Sequence, residues 1–404
     1  MLKMYFDYRD IFRAARLGLS PKKMWVLFWG LVWGFAFYGI FGYLSHLAAG
    51  RSLADVWVMF GLVPAKPWPG SGAISWVLWL AGMLGALLIY MMSAAVTARL
   101  ATEQLKGNEF YEVREAAGYL KGAWKSILGG PLVIISFVSL LLFFGILSGW
   151  WGRIPVLGEL TIALLSLPIY LVGLFLVFLL ASLAIGLFFS PVISGATRGD
   201  AFDNLFEVFS SITAQPWRLV TYTGLLKLLC LLASAVFAWF TISSMGIAYQ
   251  VLSWSMGGKF ADIALAAFNL YTPPLATNYV MFLGMDNPMI SGLSSFMTAT
   301  PALSWSGQTA AFIMGMSLNA VRLLVLSYLL SVFVTGQTII YGIIVMKRDQ
   351  RDIFAREEGT PEETCQAIGD SENQTEEVEP QMNKRPQRVL KKIKSASKMK
   401  MKKR

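Results

Sequence analysis

Charged residues are scarce in this chain, and the residues that build metal sites are nearly absent. Only 14% of its 404 residues are charged, whereas soluble domains carry about 25%. The single histidine, His46, excludes a site built on several histidines. The two cysteines, Cys230 and Cys365, lie in an apolar stretch and in a charged tail, so they predict no disulfide framework. The shortage of charge indicates that lipid surrounds most of the chain.

Catalytic patterns are also missing from the sequence. It contains no metal-ligand cluster, nucleophile elbow or phosphate loop, and no paired carboxylates in its apolar part. We therefore expect a protein that is not an enzyme and that holds no cofactor. An enzyme that acts on lipids is the least supported alternative.

Six long apolar stretches dominate what is present, and only two charged residues lie inside them. About 20 helical residues cross a hydrocarbon core of about 30 Å, and each stretch is long enough. Their lack of polar–apolar alternation argues against a barrel. The sequence predicts an all-α, polytopic bundle of six transmembrane helices, at residues 25–49, 74–98, 127–148, 160–193, 219–244 and 312–346.

The distribution of Lys and Arg predicts the orientation. Up to Arg351, sixteen of these residues lie in the terminal segments and the loops on their side, and four lie in the alternate loops. Basic loops stay cytoplasmic. We expect a multi-pass protein of the bacterial inner (cytoplasmic) membrane, with both termini in the cytoplasm.

A threefold pattern precedes the odd-numbered spans. Each preceding segment has apolar residues at helical spacing, as in residues 5–19, 110–124 and 202–212. Each ends in a tryptophan near basic residues, which is typical of an interfacial anchor. The pattern suggests three helical hairpins, each preceded by a cytoplasmic amphipathic helix that lies in the interface or packs beneath the bundle. The anchors are Trp25, Trp124, Trp217 and Arg218.

One stretch resembles a known group of proteins. It runs through Ser190-Pro191, Gly199-Asp200-Ala201-Phe202 and Pro216-Trp217-Arg218. It is similar to the linker that recurs in bacterial six-span membrane proteins related to the membrane domain of glycerophosphodiester phosphodiesterases. The catalytic domain of those enzymes is absent, so the resemblance implies an architecture and no activity.

Lys227 and Arg322 are the two charges inside the apolar stretches, and Asn319 lies near Arg322. Intramembrane charges usually face a bundle interior or a cavity. These three residues form the candidate intramembrane polar site, which could bind an anion, a lipid headgroup or a substrate. Snorkelling or structural hydrogen bonding is the alternative reading of the same residues.

The sequence divides into an amphipathic segment at 1–24, a six-span membrane domain at 25–346 and a charged tail at 347–404 that we expect to be disordered. The outer segment 245–311 carries little charge. It could contact a protein partner or form a lipid-contacting cap. The tail ends in a basic block that could bind anionic lipids, RNA or the tail's own acidic block. We expect no sequence-specific nucleic-acid binding, and expect lipid contacts at Lys391, Lys392, Lys394 and Lys398.

These features leave two hypotheses for function. The first is a non-catalytic scaffold or assembly factor whose amphipathic helices and tail engage the membrane or a partner. The second is a transporter or permease for a small or lipid-like solute. Pro131 and Pro168 could break spans three and four, and broken spans would favour the transporter.

Overall fold

The computed structural model describes residues 4–61, 63–68, 70–197, 199–271 and 303–355. Residues up to Phe354 form one compact unit. Within the described residues there are helices and no strands, which confirms the predicted all-α class. Six helices are long and apolar enough to cross a membrane, so the protein is a polytopic helical bundle.

The described residues form twelve helices. The six membrane-crossing helices are α3, α5, α6, α8, α10 and α12, and the others are shorter. In chain order the helices are α1 (Tyr8–Ile11), α2 (Arg13–Gly18), α3 (Pro21–Ala48), α4 (Leu53–Phe60), α5 (Ala73–Leu105), α6 (Val113–Trp151), α7 (Leu157–Leu164), α8 (Ser166–Ala196), α9 (Ala201–Ala214), α10 (Pro216–Met256), α11 (Gly258–Tyr271) and α12 (Trp305–Asp349).

Several predicted boundaries differ from the structure. The fourth span begins at Ser166 instead of residue 160, because the preceding residues form the separate helix α7. The fifth span continues to Met256 and the sixth begins at Trp305. The outer segment therefore contains the ends of two spans, and its helix α11 packs Ile263 and Ala267 against α12. Residues 272–302 of this segment lie outside the described residues.

The three predicted amphipathic segments fold in three different ways. The first is split into the short helices α1 and α2, and the third is the separate helix α9. The second is continuous with its span, because α6 starts at a capping box of Glu112 and Glu115 and continues to Trp151. Pro131 lies just after the point where the segment meets the span, and the helix continues through it. The repeated arrangement is therefore only approximate in the structure.

Both described termini lie at the same end of the bundle, where Lys347 Nζ is 3.7 Å from Asp7 Oδ1. We call this the terminal end, and the opposite end the far end. Buried residues concentrate towards the terminal end. In α6 none lies beyond Val138, and in α8 none lies before Leu179. The far halves of these two spans are therefore covered by the membrane and little else.

The last span is the central helix of the bundle. In its most apolar window 61% of the residues are buried, against 11–17% in the other five spans. Val334 to Val345 are buried without interruption. Because twelve consecutive residues cover more than three helical turns, every face of α12 is packed there.

Candidate functional site

The terminal half of α12 is surrounded by segments that are distant in sequence. We call the assembly of α1, α2, α9 and residues 327–349 of α12 the terminal hub. Its buried core contains Ile11, Ala14, Val208 and Val332. Because isolated helices as short as α1 and α2 are marginal, packing against α12 is what holds them in place.

Asp10 shapes the start of the hub. This carboxylate is fully buried and accepts hydrogen bonds from the backbone N–H groups of Tyr5 and Phe6, at 2.8 and 2.7 Å. Arg13 lies 3.1 Å from its other oxygen. A buried charge is tolerated when it is paired and hydrogen-bonded in this way. Asp10 thereby folds the first described residues back onto α1.

Two hydroxyl groups of α12 attach the N-terminal helices to the last span. Ser331 donates to the carbonyl oxygen of Gly18 at 2.7 Å, and Tyr328 donates to that of Ala15 at 3.3 Å. Gly18 has no room for a side chain, since a Cβ there would lie 2.7 Å from the backbone of Val332. The close approach of the two backbones thus requires glycine.

Lys23 has a buried side chain with neutral partners. Its Nζ donates to the carbonyl oxygen of Leu17 at 2.8 Å and to the hydroxyl of Thr335 at 3.4 Å. Leu17 lies in the last turn of α2, where carbonyls lack intrahelical partners and cations are favoured. Lys23 therefore caps α2 and joins it to α12. The adjacent Lys22 is exposed and donates to the carbonyl oxygens of Glu109 and Tyr111.

An ion pair connects α9 to the end of α12. Arg348 lies 2.8 Å from a carboxylate oxygen of Glu207, with side-chain exposures of 17% and 23%. Arg348 also donates to the hydroxyl of Ser210 at 2.7 Å, and Tyr341 donates to Glu207 at 3.2 Å. Arg348 further contacts the neighbouring Asp349. Because these charges are partly shielded from water, the pair is stronger than a typical surface pair.

Asn204 fastens α9 to the third and fourth spans. Its buried amide nitrogen donates to the carbonyl oxygen of Ser126 and to the hydroxyls of Ser190 and Ser194, at 2.9, 2.8 and 2.7 Å. Ser190 in turn donates to the carbonyl oxygen of Ile127 at 2.7 Å.

Pro131 explains why the carbonyl oxygen of Ile127 is available to accept this hydrogen bond. A proline has no backbone N–H, so it leaves the carbonyl four residues earlier, here Ile127, without its helical partner. Ser190 of the next span supplies the missing donor, and α6 continues through Pro131. Pro168 lies in the first turn of α8 and does not break it. Neither proline therefore produces the broken span that would favour a transporter.

A second polar cluster, outside the hub, joins α5, α6 and α8. The guanidinium of Arg99 pairs with Glu103 at 2.9 Å and lies 4.7 Å from the centre of the Tyr119 ring. Tyr119 donates to the carbonyl oxygens of Ser194 and Thr197 at the end of α8. The end of the fourth span is thus capped by the first turns of α6.

The outer surface of the hub and of the neighbouring helix starts is strongly aromatic. The exposed side chains include many that formed the predicted apolar stripes, although Leu205 of the third stripe packs inward. Basic side chains such as Arg16 and Lys22 are exposed beside them. This combination is typical of a surface at the membrane interface. The exposed apolar residues are Tyr5, Tyr8, Phe12, Leu19, Phe110, Phe202 and Phe206, and the predicted anchors Trp25, Trp124 and Trp217.

The three residues of the predicted intramembrane site do not lie together in the structure. Lys227 is exposed, and its neighbour Leu226 packs against Gly336. Arg322 lies fourteen residues before Gly336, a separation of about 21 Å along α12. Arg322 donates to Asn319 at 3.4 Å and lies 5.5 Å from the centre of the Phe268 ring. Arg322 and Asn319 form one local group, and Lys227 lies apart from them.

The predicted anchor Arg218 is exposed and donates to Gln215 at 3.1 Å. The sequence does not predict the contacts of Lys23, Asn204, Glu207 and Arg348. One usable signal was present in the last span, where four hydroxyl residues share a helical face because their spacings are four, four and three. They are Ser327, Ser331, Thr335 and Thr338, and all four are buried.

The polar side chains of the hub make structural contacts. Within the described residues, no group of three or more His, Cys, Asp or Glu could hold a metal ion. Two buried amide oxygens of the hub, on Asn204 and Gln337, have no hydrogen-bond partner among the described residues. The remaining polar groups named above are used in contacts between helices, so the hub holds the bundle together.

Comparison of the chain with protein-family models, with curated proteins and with solved structures finds no match.

Proposed function

We propose that this protein is a non-catalytic membrane scaffold that presents the terminal hub to a protein partner at the membrane surface. The observation that carries the proposal is the complete burial of Val334–Val345 by segments from across the sequence. The surface of the hub is formed by segments that all pack against this buried part of α12. Such a surface is rigid, because moving any one segment breaks its contacts with α12. Rigid surfaces bind partners with little loss of conformational entropy.

The exposed aromatic residues of the hub support the same proposal. Phe202 and Phe206 are exposed on α9 while Leu205 and Val208 beside them pack inward. Aromatic residues are enriched in protein–protein interfaces and at membrane surfaces. We propose that α9 contacts a partner protein and that the aromatic residues of α1 and α2 rest on lipid.

The proposed orientation places the terminal end in the cytoplasm of a bacterium, with the bundle in its cytoplasmic membrane. The excess of Lys and Arg on that side supports this, and the common position of both described termini agrees with it. A Phe206→Cys variant, with the native Cys230 and Cys365 replaced by serine, should resist an impermeant maleimide in intact cells and react after the cells are opened. Labelling of this variant in intact cells would contradict the proposed orientation.

The tail extends the proposed membrane contact. The four lysines expected to bind anionic lipids lie outside the described residues, so this contact stays a proposal based on charge. Each lysine near an anionic surface contributes about 1 kcal/mol, and salt weakens the attraction. The resemblance to the membrane domain of glycerophosphodiester phosphodiesterases also stays an expectation about architecture.

Site-specific photo-crosslinking in native membranes tests the scaffold. A photoreactive amino acid at position 206 is expected to give one discrete protein adduct. The matched control is position 177 in α8, an exposed apolar residue on a far half that contacts little besides lipid, and it is expected to give lipid adducts alone. Lipid adducts alone at both positions would contradict the proposal.

A lipid transporter is the second candidate. It is favoured by one observation, an apolar pocket between α3 and α5 whose lining includes exposed Phe35 and Val63. Purified protein in vesicles with a fluorescent phospholipid would distinguish the two. The scaffold predicts that lipid crosses the bilayer no faster than in empty vesicles, and a protein-dependent acceleration would favour the transporter.

A further inference from the structure

A pocket of about 330 Å³ lies between the first two spans. This volume is near the lower end of the range for small-molecule sites, about 300–1,000 Å³. Gly30 packs tightly against Ser93 of α5, whereas a Cβ at Gly34 would have its nearest neighbour at 3.7 Å, so the absence of a side chain at Gly34 leaves space beside α5. Its lining residues are Leu27, Gly30, Leu31, Gly34, Phe35, Tyr38, Val63, Ala86, Tyr90 and Ser93.

Both ends of the pocket are closed. At the far end the segment containing Val63 and Pro64 lies across α3, because Tyr38 donates to the carbonyl oxygen of Pro64 at 2.7 Å. Trp79 of α5 donates to the Tyr38 hydroxyl at 3.1 Å and fixes that side chain. At the terminal end Leu27 is only 1% exposed. With Phe35 and Val63 exposed at its side, the pocket is entered from the bilayer.

The lining contains no charged side chain and three polar ones. Two of these are satisfied within the protein, since Tyr38 bonds to Pro64 and Ser93 donates to the carbonyl oxygen of Ile89 at 2.9 Å. The hydroxyl of Tyr90 has no hydrogen-bond partner among the described residues. A donor shielded from water is unfavourable when its bond is not made. A ligand with an acceptor oxygen would supply the bond.

The depth of Tyr90 limits the class of that ligand. Towards the terminal end the first charged residue of α5 is Arg99, nine residues and therefore about 13 Å away. Half of a hydrocarbon core is about 15 Å, so Tyr90 lies close to the middle of the bilayer. Phosphate and ester groups of phospholipids stay at the interface. An acceptor at this depth belongs to a lipid without a charged headgroup.

We propose that the pocket binds a neutral, lipid-soluble molecule through a carbonyl oxygen that accepts a hydrogen bond from Tyr90. The aromatic rings of Phe35, Tyr38 and Tyr90 and the flat glycine surface suit a planar head, and an alkyl quinone has this chemistry. The site is independent of the scaffold role, because no residue of the terminal hub lines it.

Photolabelling of the full-length protein in nanodiscs tests this proposal. One arm uses an alkyl benzoquinone that carries a diazirine, and the other uses a phosphatidylcholine with a diazirine in its acyl chain. The quinone is expected to label peptides that contain residues 27–38 and 86–93. Preferential labelling of these peptides by the phospholipid, with none by the quinone, would overturn the proposal.

Two variants and a control sharpen the test. Gly34→Leu should reduce quinone labelling at least fivefold by filling the pocket, since a Cβ at Gly34 has its nearest neighbour at 3.7 Å. Gly145→Leu is the control, because nothing lies within 4 Å of its Cβ. Tyr90→Phe keeps the shape and should reduce affinity about threefold to tenfold by removing one hydrogen bond. Unchanged labelling in Tyr90→Phe would exclude the proposed bond, and unchanged labelling in a folded Gly34→Leu would exclude the site.

Discussion

Replacement of Gly195 with valine is expected to separate the fourth span from the second and to prevent stable folding. A Cβ at this position would lie 2.6 Å from the carbonyl oxygen of Ala95 and 3.1 Å from the backbone nitrogen of Arg99. Backbone atoms cannot rotate away as a side chain can, so the two helices must move apart. Overpacking of a core costs about 1–3 kcal/mol and occasionally more, and we expect a loss of at least about 3 kcal/mol.

Gly173 supplies the matched control for this substitution. It lies in the same helix, and nothing is within 4 Å of its Cβ position. Gly173→Val should therefore shift the unfolding midpoint in a denaturing-detergent titration only slightly, since the helix propensities of the two residues differ little. Equal midpoints for Gly195→Val and Gly173→Val would show that the second and fourth spans do not approach as described.

Disruption of the pair between Glu207 and Arg348 should release α9 from the last span. A hydrogen bond that involves a charged group contributes about 1.5–3 kcal/mol, and this pair is shielded by its low exposure. We expect Glu207→Gln and Arg348→Met each to lower the free energy of unfolding by about 2 kcal/mol. The double variant should lose less than the sum, because each single change removes the same interaction.

The neighbouring pair of Asp7 and Lys347 is the control for this cycle. Its side chains are 52% and 38% exposed, and its charges are 3.7 Å apart. Exposed pairs contribute about 0–1 kcal/mol, so Lys347→Met should change stability little. Strictly additive losses for Glu207 and Arg348 would mean that the two residues do not interact in the membrane.

The number and kind of spans could be predicted because they depend on local composition. A helix in lipid must satisfy its own backbone hydrogen bonds, so a long apolar run is sufficient to indicate one. The extension of the fifth and sixth spans beyond the predicted ends had no such signal. Residues such as Gln250 and Thr309 are polar enough to suggest a loop, while the helix continues through both.

The terminal hub could not be predicted in the same way, because it depends on which helical faces meet. Lys22 and Lys23 are adjacent and chemically identical, yet Lys23 is buried against Thr335 and Lys22 is exposed. The apolar stripes left open whether these helices face the interface or the bundle, and in α9 the stripe is divided, with Phe202 and Phe206 exposed and Leu205 buried. In a membrane protein the exposed face is itself apolar, so hydrophobic periodicity does not identify the buried one.

The effect of Pro131 on the third span also could not be predicted from the sequence. Pro131 suggested a break in the third span, and the structure has a continuous helix. The compensation comes from Ser190, a residue 59 positions away in sequence that donates to the carbonyl oxygen of Ile127. The sequence of one helix shows that a proline removes a hydrogen-bond donor, but it does not show that another helix replaces that donor.

The proposed terminal hub requires α12 to be packed on every face at its terminal end. A scan of residues 312–346 with a photoreactive diazirine amino acid in lipid nanodiscs tests this most directly, because the carbene it forms inserts into whatever it touches. We expect no lipid adducts from position 334 to position 345. Positions 312, 313 and 316, which are exposed in the structure, should give lipid adducts. Lipid adducts that recur every three or four residues through 334–345 would place one face of the helix in lipid and contradict the packing of α12.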